Sequence, residues 1–318
     1  MGADSNPKLS AFDVVIVGGG PAGLNAALVL GRSLRRVLLC DAGRPRNRFS
    51  HELHGFLSRD GIPPAELLRI GRDQLRRYHT IESCNAEVTH AVQQHDGFEV
   101  TLAGGTAVRC RKLLIATGVV DCLPAIRGFE EIYGTSAFHC PYCDGWEFRE
   151  QSVAIYGPGR NGFGLALELT GWSSCVTLCS DGPSELRAGE RAQLVRLSIA
   201  LREERVDAFQ ARQGMIERVT FHSGPAVECG ALFFNVDELQ ASPLARLLGC
   251  AVTEAGAIDG REDQATTTPG LYVAGDAGRG SQLAIIAAAE GARAAIAINS
   301  ALLVEDRERI SPPQTKDG

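Results

Sequence analysis

The chain has 318 residues, 44% of them hydrophobic and 22% charged, with a net charge of −6 and an isoelectric point near 5.7. That length suits two domains of ordinary size, and mild acidity without a dense Lys/Arg block argues against a nucleic-acid or membrane surface. The opening MGADSNPKLSAFD lacks the basic and apolar stretches of a signal peptide, so the expected compartment is the cytoplasm.

Phe12–Val17 (FDVVIV) is a continuous β-branched run, the pattern of a strand buried on both faces. GGGPAG follows, then LNAALVL reads as a helix and Val37–Asp41 (VLLCD) as the next strand. Phe98–Leu102 and Ala107–Cys110 alternate like strands of a small antiparallel sheet, and Arg111–Gly118 (RKLLIATG) reads as a further buried strand ending at a turn. Val153–Tyr156 (VAIY), GPGRNG, FGLALEL and VTLCS then repeat the strand, glycine loop, helix, strand order. Thr266–Gly278 (TTTPGLYVAGDAG) gives a short strand and a Gly-Asp turn. Leu283–Val304, interrupted by Glu290, Arg293 and Asn299, reads as a buried or half-buried helix, not a membrane span. Asp121–Ala125 and Ala241–Leu244 are the expected hinges, and SPPQTKDG a loose tail. Two copies of one nucleotide-binding unit predict an α/β protein of two doubly wound, three-layer domains.

Gly18, Gly20 and Gly23 follow a strand and open a helix, and Asp41 lies eighteen residues beyond the last glycine. The glycines permit a tight turn and let backbone amides approach a pyrophosphate, while Asp41 accepts from ribose hydroxyls. Its charge would repel a 2′-phosphate, favouring FAD or NAD over NADP. Gly157, Gly159 and Gly162 repeat the pattern, but the strand after them ends Cys179-Ser180-Asp181-Gly182, without an arginine pair for a 2′-phosphate. Asp181 suits a plain ribose, making NADH more natural than NADPH there. The alternative is a retained fold that no longer binds a nicotinamide cofactor.

Of the ten cysteines, Cys40, Cys84, Cys110, Cys122, Cys175, Cys179, Cys229 and Cys250 are scattered and read as small buried hydrophobes. Only Cys140 and Cys143, in FHCPYCDGWEF, have a spacing with chemical meaning. A structural zinc needs about four ligands, and no second Cys-x-x-Cys or His-x-x-x-His exists, so no metal is expected. A structural cross-link over so short a loop constrains little chain entropy. In the first turn of a helix the two residues would lie about 5–6 Å apart on one face, close enough to pair.

The order of the Gly18–Gly23 motif, Ala116–Gly118 (ATG), Cys-x-x-Cys-Asp in a second nucleotide unit, and Gly270–Ala277 (GLYVAGDA) resembles low-molecular-weight thioredoxin reductases over nearly the whole chain. The resemblance implies a homodimer with a split FAD domain, 1–122 and 243–318, and an inserted NAD(P)-binding-like domain, 123–242, carrying the dithiol. It implies that Gly18, Gly20, Gly23 and Asp41 hold the ADP half of FAD and that Thr117 and Gly118 lie near the flavin. Gly275 and Asp276 would bind its ribityl chain or pyrophosphate, and Gln282 would open a helix whose N-terminus faces the flavin ring. Cys143 would face the flavin, Cys140 would exchange with substrate, and Asp144 would take and return protons.

The CPYC core, the GWE after it and Gly43–Phe56 (GRPRNRFSHELHGF) are similar to an atypical branch. That branch holds the dithiol oxidases of holomycin and gliotoxin type and the deeply rooted thioredoxin reductases. The dithiol oxidases often carry His after the second Cys, so Asp144 points to the reductase side. His139 reads as a packed or surface residue that could assist, His51 and His54 as loop packing near the flavin, and Trp146 as a core aromatic or a substrate platform. The expected activity is electron exchange between FAD, the dithiol and thioredoxin or a similar disulfide. The alternatives are an oxygen-dependent oxidase that closes a small-molecule dithiol, and a non-catalytic flavin-bound redox sensor. The donor stays open among NADH, ferredoxin and, with least support, NADPH.

Overall fold

A computed structural model describes residues 11–310; the start of the chain and the SPPQTKDG tail lie outside the described residues. Two compact units divide it, one gathering 11–46, 65–120 and 240–310, the other 47–64 and 121–239. Residues 47–64, placed with the flanking segments in the sequence reading, cluster with the second unit. Both crossings at 119–121 and 238–240 are short strands, and they pair with each other.

The first unit is built on a seven-stranded sheet. Its parallel part runs Ile81–Cys84, Val37–Cys40, Ala11–Val17, Ala107–Ile115, with Leu271–Val273 on the far side of the last. Alternation along the first strand assigns the faces: Val14 and Ile16 pack among the helices Pro21–Arg32 and Ala284–Ile310, while Val15 and Val17 pack with Val88, Phe98, Leu244 and Leu248. The expected strands 107–110 and 111–118 are one nine-residue strand, Ala107–Ile115. Its first half pairs antiparallel with Gly97–Leu102 and its second half parallel with Leu271–Val273. Arg111 and Lys112 can sit in mid-strand because Glu305, Asp13 and Asp306 neutralise them.

Ala284–Ile310 is long and apolar enough, by length and composition, to cross a membrane. Here Ala287, Ala288, Gly291, Ala294, Ala295, Ile298 and Leu302 form its buried stripe. A Cβ at Gly291 would come within 2.0 Å of the Ala22 carbonyl oxygen, so glycine is what lets this helix lie against Pro21–Arg32.

The second unit holds a five-stranded parallel sheet, ordered Ala200–Arg202, Val176–Cys179, Val153–Tyr156, Ala231–Phe234, Ala137–Phe138. Val153 and Ile155 face the helices Phe163–Leu169 and Ala188–Arg196. Ala154 and Tyr156 face an antiparallel three-stranded sheet through Phe209, Ile216 and Val219. Both units are thus Rossmann-like α/β layers.

Among the scattered cysteines, Cys40, Cys110, Cys179, Cys229 and Cys250 are buried as expected, Cys84 is half-buried, and Cys122 and Cys175 are exposed. Burial pushes the Cys110, Cys179 and Cys229 thiols up to about 12, which keeps them inert.

Candidate redox site and cofactor cradle

Cys140 and Cys143 are joined as a disulfide, with Cα atoms 5.3 Å apart. Local sequence explains the geometry. Phe138 ends an edge strand, Pro141 presets the first helical residue, and Pro141–Asp144 forms one helical turn with Cys140 as its N-cap. The Cys143 amide donates to Cys140 Sγ at 3.1 Å, a contact that would stabilise a thiolate there. Gly145 closes the turn: a Cβ on it would come within 2.5 Å of the Pro141 carbonyl oxygen and 3.0 Å of the Trp172 ring. Tyr142 within the turn and Trp146 just after it are 66% and 65% exposed. Tyr142 meets the Trp172 ring edge-on at 5.3 Å, and the Arg149 guanidinium lies 4.1 Å from the Trp146 centroid. Trp146 is therefore a surface aromatic and not part of the core.

Asp144 directly follows the dithiol. Burial, then the nearby Glu147 carboxylate, push its carboxyl up to about 7, while His54 opposes the rise. His54 belongs to the segment 47–64, which folds back on itself through the Leu53–Ile62 bridge. Phe49 anchors that segment by packing edge-on against Tyr133 at 5.3 Å. The His139 ring lies tilted against that of Phe234, with centroids 6.3 Å apart.

In the first unit, Gly18, Gly20, Gly23, Asp41, Thr117, Gly118, Gly275 and Asp276 all follow the C-terminal ends of parallel strands, at one edge of the sheet. That is where ligands bind in doubly wound folds. Gly18 adopts φ +112°, and a Cβ there would meet the Ala116 carbonyl oxygen at 2.2 Å. At Gly23 a Cβ would lie 1.8 Å from the Gly18 carbonyl oxygen. Gly20 differs, with open space where a side chain would project, at the uncapped N-terminus of Pro21–Arg32. Asp41 accepts from the Gly43 amide at 2.9 Å and pairs with Arg72 at 3.2 Å. The buried Thr117 hydroxyl has no partner, and Gly118 beside it adopts φ +70° facing open space. These residues fit FAD: an open amide-lined turn, an acid at the neighbouring strand end, and an orphan hydroxyl.

Sequence reasoning missed three residues that organise this edge. Arg46 donates to Gln282 at 2.6 Å and lies 3.7 Å from Asp276. Glu290 accepts from the Gly275 amide at 2.7 Å. Arg72 holds Asp41. Only the arginine-rich GRPRNRF run hinted at any of them.

The second glycine turn is arranged differently. The amides of Asn161 and Phe163 donate to carbonyls of the turn itself, Arg160 pairs with Glu190, and the Glu185 carboxylate comes within 3.7 Å of where a Gly159 Cβ would stand. Asp181, expected to hold a ribose, accepts instead from the Val206 amide at 2.8 Å and the Tyr156 hydroxyl at 3.3 Å. This turn thus makes more hydrogen bonds within itself than the first. Among the described residues no cluster of His, Cys, Asp or Glu forms a metal site.

Residues 12–291 match the pyridine nucleotide-disulphide oxidoreductase family. Thioredoxin reductase tcpT of Claviceps purpurea is 32% identical, over 84% of this chain and 86% of its own. The crystal structure of HlmI superposes with a TM-score of 0.88 at 34% identity, covering 94% of this chain and 95% of its own. An oxidoreductase structure from Agrobacterium tumefaciens gives a TM-score of 0.86 at 34% identity, covering 92% and 99%. The chain belongs to the pyridine nucleotide-disulphide oxidoreductases and, within them, to the thioredoxin reductase-like flavoprotein disulfide oxidoreductases.

Proposed function

We propose that this protein is an FAD-dependent enzyme that exchanges electron pairs between flavin, the Cys140–Cys143 pair and an external disulfide, thioredoxin or a similar one. The observation that carries this reading is the disulfide at the start of a helical turn with a carboxyl held near pH 7 immediately beside it.

Gly18, Gly20, Gly23 and Asp41 would hold the ADP half of FAD. Thr117, Gly118, Gly275, Asp276 and Gln282 would line the rest. Bound there, FAD would supply or accept the electron pair. In the reduced pair, the Cys143 amide stabilises a thiolate on Cys140. That sulfur attacks the substrate disulfide, forming a mixed disulfide and releasing one substrate thiolate. Cys143 then attacks Cys140, the protein disulfide re-forms and the second substrate thiolate leaves. Two electrons and two protons pass to the substrate. Asp144 holds a proton beside the pair and returns it, which its position near neutrality allows. The functional unit would be a homodimer.

A second reading runs the same steps backwards, with a small-molecule dithiol oxidised and the electrons passed to oxygen. The exposed Tyr142 and Trp146 beside the dithiol support it, since they offer an aromatic platform to a small substrate. The self-partnered second glycine turn supports it too, because oxidation of a dithiol needs no nicotinamide donor. Steady-state assays separate the two: thioredoxin reduction with NADPH, NADH or reduced ferredoxin, against peroxide release from a dithiol in air. Thioredoxin turnover supports the first reading; peroxide release with thioredoxin untouched under every donor overturns it.

A further inference from the structure

One side chain outside the glycine motifs is bonded to the cofactor edge and has an atom to spare. Gln240 ends the short strand Glu238–Gln240 and belongs to the same compact unit as Gly18, Thr117 and Asp276. Its side-chain nitrogen donates to two carbonyl oxygens, that of Gly256 at 3.0 Å and that of Ala277 at 3.1 Å. The next residue, Ala241, donates its amide to the Gly118 carbonyl oxygen at 3.1 Å. Hydrogen bonds thus tie this short stretch to both strand-end segments assigned to the flavin half of the cofactor, Thr117-Gly118 and Gly275-Asp276-Ala277.

Two carbonyl partners fix which way round the Gln240 amide sits, because only its NH2 group can donate to both. Oε1 is left as a pure acceptor. It is buried and has no hydrogen-bond partner among the described residues. Buried polar atoms without a partner are costly and rare, so each one asks for a missing donor or acceptor. Thr117 Oγ1, next to Gly118, is buried and unpartnered as well. Two orphan atoms on one bonded edge point to one ligand.

We propose that Gln240 is a cofactor-binding residue whose Oε1 accepts a hydrogen bond from the flavin half of FAD. The inference rests on the reading that FAD occupies this cradle. An acceptor needs a donor opposite it. The phosphates and ring carbonyls of FAD only accept, whereas the ring N3–H and the ribityl hydroxyls donate. The adenosine half has donors too, but the groups suited to it, Asp41 and the Gly18–Gly23 turn, make none of the bonds that hold Gln240. With its nitrogen already pinned by two carbonyls, the amide is preorganised to accept.

The test compares FAD with ADP, which fills the adenosine half alone. Both are titrated into the full chain freed of flavin, FAD by fluorescence and ADP by calorimetry. Gln240→Met removes every polar atom of the side chain. Gln240→Lys can still donate to Gly256 and Ala277 but offers no acceptor. Each should weaken FAD about tenfold, the worth of one buried hydrogen bond, and leave ADP binding unchanged. Repeating the titration with 3-methyl-FAD, which lacks the N3–H, identifies the donor. If the advantage of the wild type over the variants vanishes, the donor is N3–H; if it persists, a ribityl hydroxyl. Variants that bind FAD like the wild type overturn the proposal. Equal losses for FAD and ADP overturn it too, since they mark Gln240 as a structural staple only. A wild type that binds ADP but not FAD would instead sink the reading of the cradle, and this inference with it.

Discussion

At the scale of single residues, Asp144 decides most. Its carboxyl is pushed up to about 7 from an ordinary 3.8, so the folded protein prefers the protonated form. Below about pH 4 both folded and unfolded states hold the proton and nothing is lost. As pH rises toward 7 the unfolded state ionises freely while the folded state resists, and stability declines across that window. Asp144→Asn cannot ionise, so its melting temperature should gain on the wild type from pH 4 to pH 7 and hold the gain above. The same variant should slow thiol exchange by about 10²- to 10⁴-fold, the usual worth of general acid–base catalysis. Thr117 gives a second residue-scale prediction. Its hydroxyl is buried without a partner, so Thr117→Val should leave the melting temperature of the flavin-free protein unchanged or higher while weakening FAD binding, measured by fluorescence titration. Cys140, Cys143 and Asp144 were legible in the sequence because the motif is local. The approach of His54, some ninety residues away, was not, since no periodicity or spacing encodes a contact made only when the segment 47–64 folds back.

At the scale of elements, the two glycine turns share a pattern and differ in what fills them. In the first, Gly23 is needed for packing and Gly20 for open space. Gly23→Ala should therefore cost about 1–3 kcal/mol of stability by denaturant unfolding, as overpacked sites do. Gly20→Ala should unfold like the wild type yet bind FAD more weakly. In the second turn, Glu185, Glu190 and Arg160 supply the charges locally. The repeat itself was plain in the sequence, but Glu185 and Glu190, which lie close to its second copy, come from outside the motif, where a motif search does not weigh them. The strand Ala107–Ile115 shows the same limit. Cys110-Arg111-Lys112 interrupts an apolar pattern and reads as a break, because the carboxylates that neutralise the two cations sit on Asp13, Glu305 and Asp306, far off in the chain.

At the scale of the whole molecule there are two Rossmann-like units: one carries the proposed cradle for FAD, the other the dithiol. Composition and the repeated unit predicted that architecture, while the grouping of 47–64 with the dithiol unit emerged only from tertiary packing. A homodimer should sediment at twice the chain mass of 33.9 kDa. The central claim is that electrons reach and leave flavin through Cys140 and Cys143. It is tested most directly by anaerobic titration of the FAD-loaded protein with reduced thioredoxin and with a small dithiol, following flavin absorbance. The account predicts that at least one of them bleaches the flavin of the wild type, and that Cys140→Ser and Cys143→Ser each abolish the bleaching. Bleaching that survives both substitutions would contradict it.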